Sequence, residues 1–439
     1  MRSPKRRERP VRFVFADSMD YVDPAYDFVT DRNGKNRSVQ KDDEYPHEFL
    51  EGAPYDGILV SRGIVGDVFR NGKYTIAQAM RFRREGARKF LRYDEQRFPG
   101  SMMMGDCGAF TYRNLAKPPY SADDTVEFYA DGGFTHGCAP DHLIFDFDDE
   151  GTERSSTEIP RAVLDRFDIT LQNASEFRVA TKRIGRRFTP MGVVQGWSAS
   201  SMATAAATLV QMGYDYLAVG GMVPLRIAQI CRALSAIREA IPPRVKLHAL
   251  GFGKIENLAD IERYGVASFD STSPLVRAFK DAHKNYWARD PQGGLSYYTA
   301  IRIPQAIENN RLKAMALEGK VDQEDIRRLE RAALDGVRGF SKREAALDEA
   351  LDAVMAYWAQ LNWTGENSAT KNSQAIERQR KTYARTLEGR PWELCKCRAC
   401  SEGGVEALIF RSSNRNKRRG FHNLKVFHDH LREHRTGER

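Results

Sequence analysis

Six cysteines occur in the chain, and three of them fall within six positions: Cys395, Cys397 and Cys400. The spacing is C-x-C-x-x-C, and a histidine follows in Gly420-Phe421-His422-Asn423-Leu424. Three thiolates and one imidazole fill the four corners of a zinc tetrahedron, which leaves no open position for catalysis and makes the expected ion structural. His428 and His430 are alternative fourth ligands. A helix would place His428 on a different face from His422, so one or the other is expected, not both. A DNA-reading two-Cys, two-His finger needs a Cys–His spacer of about 12 residues, and the spacer here is much longer.

A second set of chemically active residues sits at the ends of short apolar runs. One run ends in Asp106-Cys107-Gly108-Ala109-Phe110. Another holds Asp146, with Asp148, Asp149 and Glu150 behind it. The others end in Gln195-Gly196-Trp197, in Gly220-Gly221-Met222, in Gly251-Phe252-Gly253, and in Asp270-Ser271-Thr272-Ser273-Pro274. Taken singly, each has a plainer reading: an Asp after a strand caps the next helix, and paired glycines mark tight turns. Taken together they suit a planar ligand with several donors. Carboxylates accept N–H bonds from an amidine-like edge, and glycine N–H groups with an amide approach a carbonyl oxygen. Phe110 is placed to stack on a ring face or to pack in the core. Two carboxylates across a sugar also suit substitution at an anomeric carbon, one as nucleophile and one as acid/base.

The apolar runs that position these residues are Val11–Ala16, Gly57–Ser61, Met102–Gly105, Leu143–Phe147, Met191–Gln195, Tyr216–Val219, Val245–Leu250 and Ala267–Phe269. Several are continuously apolar, as strands buried on both faces are. Helical periodicity lies between them at Thr75–Leu91, Ala122–Tyr129, Ala162–Phe167, Ser198–Met212, Leu225–Ile241 and Glu256–Tyr264, with Ser121 and Asp124 forming a capping-box variant. Eight strands with crossovers over about 275 residues predict a (β/α)8 TIM barrel, with a doubly wound open sheet as the rival. Catalytic groups of such a barrel sit at the C-terminal strand ends, where this set lies. The strand signal fades after 286. Asn309–Lys320, Gln323–Leu334 and Lys342–Leu361 read as helices, Thr364–Gln374 as a polar surface loop, Arg411–Arg419 as a mobile basic loop and Asn423–Leu431 as a final helix. The expected domains are a basic tail at 1–12, a barrel at 13–285, a helical extension at 286–390 and a zinc-binding subdomain at 391–439.

Of the 439 residues, 41% are hydrophobic and 29% charged, enough for a sizeable core and incompatible with wholesale disorder. No apolar run approaches the roughly 20 residues of a membrane-spanning helix, and no secretory h-region follows the basic start. A soluble, cytoplasmic protein without a membrane partner is expected. The net charge of +9 is carried at the ends, with +5 over residues 1–12, +6 over 395–439 and −2 between. Basic ends on a near-neutral body suit a polyanion, whose counterions they displace, and equally suit a solvated tail.

These motifs resemble the tRNA-guanine transglycosylase family, a (β/α)8 barrel with an appended C-x-C-x-x-C…His zinc subdomain. Asp106 to Phe110 resembles the family's D-S-G-G-[FY], and Phe145-Asp146 its F-D-E. Val194-Gln195-Gly196 matches V-Q-G, Ala218-Val219-Gly220-Gly221 matches A-[VI]-G-G, and Phe269-Asp270-Ser271 is similar to F-D-S. His422-Asn423 matches the H-N of the zinc helix. The motifs keep family order across most of the chain. The resemblance implies base exchange without strand cleavage. Asp270 would be the nucleophile on C1′ of a guanosine nucleotide, and Asp106 the acid/base. Asp146 would read the N1/N2 edge, Gln195 and the Gly221 N–H (with Gly220 beside it) the O6, and Phe110 with Leu250 would sandwich the ring. The incoming base would be a 7-cyano- or 7-aminomethyl-7-deazaguanine.

The departures are informative. Cys107 and Ala109 stand where the family has Ser and Gly. Ser273-Pro274-Leu275-Val276-Arg277 replaces the bacterial P-T-R-x-G, and no archaeal RNA-binding domain follows the zinc helix. These changes fall where an anticodon would be gripped, and they resemble the DNA-acting branch of the family, found in bacterial modification-restriction islands. That branch implies DNA as partner and 7-cyano-7-deazaguanine as incoming base, with base flipping at a few kcal/mol. A helper protein of the same system and a homodimer belong to the same expectation. A tRNA-acting enzyme and a catalytically dead nucleic-acid-binding homologue are the alternatives.

Overall fold

Seven of the eight apolar runs become strands of one sheet. The computed structural model describes residues 11–66, 72–149, 154–155, 157–290, 292–308, 310–319, 322–362 and 369–436. Residues 1–10 of the basic tail, Glu150 and residues 364–368 of the expected polar loop lie outside them. The chain divides into two units, one of residues 1–19 and 55–273 and one of 20–54 and 274–439. The division differs from the sequence reading, which ran the barrel from 13 to 285 without interruption.

In the first unit, β1 (Arg12–Ala16), β2 (Gly57–Ser61), β3 (Met102–Asp106), β4 (His136–Cys138), β5 (Thr189–Val194), β6 (Tyr216–Val219), β7 (Lys246–Ala249) and β8 (Val266–Ser271) close into a parallel barrel in sequence order. An open sheet is thereby excluded. Val14, Leu59, Met102, Met104, Cys138, Met191, Val193, Tyr216 and Ala218 form a buried core cluster, the layered filling such a barrel needs. Helices Ile76–Glu85, Ala122–Gly132, Arg161–Ala180, Ala199–Gln211 and Ile227–Ala240 lie between the strands in sequence. Ser121 caps the second of these: its hydroxyl accepts from Asp124 N at 3.1 Å, and the Asp124 carboxylate accepts from Ser121 N at 2.9 Å. Tyr129 of that helix packs so closely on Gly105 and Gly137 that a Cβ on either would overlap its ring.

The fourth strand is a correction. Leu143–Phe147 is no strand, and His136–Cys138 takes its place. Leu143 and Ile144 are apolar because they are buried as a loop. Side chains satisfy the loop's backbone where a ladder would otherwise do so. Arg166 donates to the Leu143 carbonyl at 2.7 Å, and Ile144 N–H donates to Gln195 Oε1 at 3.3 Å.

The second unit contains a hairpin, β9 (Tyr286–Arg289) and β10 (Leu295–Tyr298), where fading strand character was expected. A short parallel pair joins β11 (Ile301–Arg302) to β12 (Ile409–Phe410). Its helices include Asn310–Leu317, Gln323–Lys342, Leu347–Asn362, Ala369–Gly389 and Ser413–Thr436. Two expected loops are therefore helical: residues 369–374, and all of Arg411–Arg419 from Ser413 onward. The basic segment is no mobile loop, because its guanidinium groups have internal partners. Arg415 is fully buried, with Asp31 at 2.9 Å and further bonds to Glu406 and the Phe28 carbonyl. Arg411 pairs with Asp31 and Glu330, and Arg418 donates to the Asp23 carbonyl at 2.7 Å. Arg419 donates to the Ala278 carbonyl at 2.6 Å; burial, with Arg415 beside it, pulls its pKa down to about 9. Among the described residues, no helix is long and apolar enough to cross a membrane.

Candidate active site and metal centre

A cavity of about 270 Å³ opens at the C-terminal strand ends of the barrel. Asp106 ends β3, Asp270 lies in β8, and Gln195 follows β5; all three line the cavity, as do Phe110, Gly220, Gly221 and Leu250. Asp146 does not. It is exposed, and its neighbours in the acidic run point to other partners: Asp148 pairs with Arg154 at 2.8 Å, and Asp149 with Arg226 and Arg232 at 2.9 and 3.2 Å. The carboxylate that enters the cavity from this segment is Asp141, only 3% exposed. Phe145 also lines it, its ring 5.9 Å from that of Phe110. Residue type could have suggested both. Asp141 comes three residues after a strand that was too short to see.

Gly108 sits at φ +83°, with the Gly63 backbone where a Cβ would point. Only glycine satisfies both demands. Its N–H donates to Asp106 Oδ2 at 3.1 Å, and the Ser61 hydroxyl also bonds the carboxyl. Asp141 is held from two sides. Gln195 Nε2–H donates to Oδ2 at 2.7 Å, and the Cys107 thiol donates to Oδ1 at 3.1 Å. Tyr112 O–H in turn lies 3.0 Å from Cys107 Sγ and 2.9 Å from the Asp141 carbonyl. Gly220 N–H is taken by the Val194 carbonyl at 2.9 Å, while Gly221 lies at φ +69° on the cavity wall.

Burial raises the pKa of Asp106 to about 7, and the negative charges of Asp141 and Asp270 add to the effect. Burial raises Asp141 as well. The sign for stability follows. Between pH 3.8 and about 7 the unfolded Asp106 is ionised while the folded one keeps its proton, so folding weakens as pH rises across that window. At about 1.36 kcal/mol per unit the full penalty is at most roughly 4 kcal/mol, reduced by water that reaches the carboxyl through the cavity. The Asp106→Asn protein is expected to melt above the parent at pH 8, with the gap closing towards pH 4. Thermal unfolding across pH checks this, and an equal gap at both ends would refute the raised pKa.

The candidate metal centre lies in the second unit. Cys395 follows the short helix Pro391–Leu394, Cys397 caps helix Arg398–Gly403, and Cys400 lies inside that helix. His422 comes from Ser413–Thr436. The four donor atoms all lie within 4.8 Å of one another. His422 Nδ1 is 3.4, 3.3 and 3.3 Å from the sulfurs of Cys395, Cys397 and Cys400. An ion bonded at about 2.3 Å to sulfur and 2.0–2.1 Å to nitrogen separates such atoms by about 3.5 Å, so the residues fit one tetrahedral ion. His422 Nε2–H donates to the Trp287 carbonyl at 2.6 Å, which leaves Nδ1 as the ligand atom. Tyr286 stacks on the imidazole at 4.1 Å. His428 and His430 are outside the cluster.

No protein-family model matches the chain. Over 424 residues it is 40% identical to the DNA-guanine transglycosylase of Salmonella montevideo, with 96% of each chain covered. The chain belongs to the DNA-guanine transglycosylase family. It is a glycosyl-transferring enzyme, and the cavity suits that chemistry. Substitution at an anomeric carbon can be served by a pair of carboxyl groups, one as nucleophile and one as acid/base. The barrel presents Asp270, only 6% exposed, and Asp106 on one cavity.

Proposed function

We propose that the protein exchanges guanine in DNA for a 7-deazaguanine, with 7-cyano-7-deazaguanine as the incoming base, through a covalent glycosyl intermediate on Asp270. A carboxylate oxygen of Asp270 forms a bond to C1′ as the C1′–N9 bond breaks, and the Asp106 carboxyl gives its proton to the departing guanine. In the second half the incoming base loses its N9 proton to Asp106, N9 bonds to C1′, and the bond to Asp270 breaks. A pKa near 7 suits Asp106 for both transfers. No net charge or redox change is left over.

Asp141 takes the part that the sequence reading gave to Asp146. Its carboxylate, fixed by Gln195 and Cys107, faces the N1–H and N2–H₂ edge of a guanine-like ring. The second amide proton of Gln195 and the Gly221 N–H serve O6, and Phe110 and Leu250 cover the ring faces. Zinc is the ion we assign to Cys395, Cys397, Cys400 and His422, from the three-sulfur, one-nitrogen donor set. It holds the fold and takes no part in the exchange.

The convergence of Asp106, Asp141 and Asp270 on one cavity supports the reading most strongly. Competition tests it. The purified protein receives equal duplex DNA and bulk tRNA with 7-cyano-7-deazaguanine, and each pool is digested to nucleosides for mass spectrometry. Deazaguanine is expected in the DNA pool alone. Label confined to tRNA would overturn the choice of nucleic acid.

A further inference from the structure

The nucleophile has a buried support that the exchange chemistry leaves unused. His248 of β7 and Ser268 of β8 are register partners, both fully buried. His248 Nε2 lies 3.1 Å from Asp270 Oδ1, and its Nδ1 lies 2.5 Å from Ser268 Oγ. Ser268 Oγ is in turn 2.5 Å from the hydroxyl of Tyr216, itself 4% exposed. Gly251 N–H donates to the same Asp270 Oδ1 at 2.8 Å.

Proton counting gives this chain a direction. An ionised carboxylate only accepts, so the nitrogen that faces it must carry a proton. A neutral imidazole then has a bare Nδ1, which Ser268 must donate to. Having given its single proton, Ser268 accepts from Tyr216. Burial holds the Tyr216 phenol up at about 12, so it keeps a proton to give. Both donors on Asp270 converge on Oδ1, and Oδ2 has no donor among the described residues.

We propose that Tyr216, Ser268 and His248 form a one-way hydrogen-bond chain that fixes His248 as its Nε2–H tautomer, holds Oδ1 of Asp270, and leaves Oδ2 as the oxygen that attacks C1′. His248 is thus a positioning residue, since it acts through Asp270. The inference rests on Asp270 as nucleophile, because only a reacting carboxylate needs one oxygen held and the other left bare. Imidazoles fixed by a partner on the far nitrogen are a general means of setting the tautomer.

The test combines kinetics with a spectroscopic signature. In single-turnover adduct formation on a guanine-containing DNA duplex, His248→Leu is expected to lower the rate about 100-fold while duplex affinity stays within about threefold, as for a misplaced reacting group. His248→Gln, whose amide N–H reaches the position of Nε2–H, is expected to recover the rate to within about tenfold. Nitrogen NMR of histidine-labelled protein at neutral pH should show one Nε2–H resonance that disappears in His248→Gln and moves in Ser268→Ala. A parent-like rate in His248→Leu overturns the proposal, as does an Nδ1–H or imidazolium signature for His248. If Asp270→Ala still forms the adduct, the nucleophile reading fails instead, and the tautomer signature still decides whether the chain runs as described. Should His248→Leu not fold, Ser268→Ala and the parent spectrum carry the decision.

Discussion

The Asp270→Ala protein is expected to form no covalent adduct and to lose base exchange by about 10⁵-fold or more, the scale of removing a nucleophile from a catalytic set. Binding of the nucleic acid should change little, because the substitution deletes one carboxylate inside the cavity and leaves its walls in place. Two donors, His248 Nε2–H and Gly251 N–H, lose their acceptor, at a cost on the order of 1–3 kcal/mol per buried group. The same change removes one of the charges that raise the Asp106 pKa, so the remaining acid should titrate lower. Trapping on a denaturing gel, with the parent and Asp106→Asn alongside, measures the adduct. An adduct in Asp270→Ala at parental yield would remove Asp270 from its role.

Loss of one metal ligand is expected to act on folding instead of chemistry. The four donors tie together a short helix, a helix N-terminus and the last long helix of the second unit. Zinc held by such a set in finger peptides is worth about 10–16 kcal/mol at neutral pH, as much as the whole stability of a typical domain. Cys397→Ala should therefore be isolated without its equivalent of zinc. Its amide hydrogens should lose exchange protection across 20–54 and 274–439. Metal analysis and hydrogen exchange by mass spectrometry read both, and a full equivalent of zinc in the variant would refute the ligand assignment.

Much of the barrel was legible because parallel strands buried on both faces leave continuous apolar runs, as in Val193-Val194 and Tyr216–Val219. The fourth strand was not. His136-Gly137-Cys138 has three residues, no β-branched side chain and a glycine, while the nearby Leu143–Phe147 run looks more like a strand than the strand does. That misplacement drew attention to Asp146, whereas the carboxylate of this segment that lines the cavity is Asp141. The three cysteines of the candidate metal cluster stood out because their C-x-C-x-x-C spacing is local, while the histidine lies further along the chain and was open among His422, His428 and His430 until the fold placed His422 beside them. The buried arginines were not legible at all. Arg411, Arg415 and Arg418 read as a solvated stretch because their acceptors, Asp31, Glu330 and the Asp23 carbonyl, stand far away in sequence. His248 gave no signal either, as a lone histidine in an apolar strand is usually a satisfied core residue.

The pairing of Arg415 with Asp31 spans 384 residues. Within the second unit, residues 20–54 emerge first from the ribosome and meet their partners on helix Ser413–Thr436 last. Synthesis at roughly 5–20 residues per second places tens of seconds between the two. Through that interval Asp31 and the Asp23 carbonyl wait without Arg411, Arg415 and Arg418, and closure of so long a loop must precede any return from the contacts it creates. Docking of residues 20–54 on helix Ser413–Thr436 is therefore expected to be a late step in folding of the second unit.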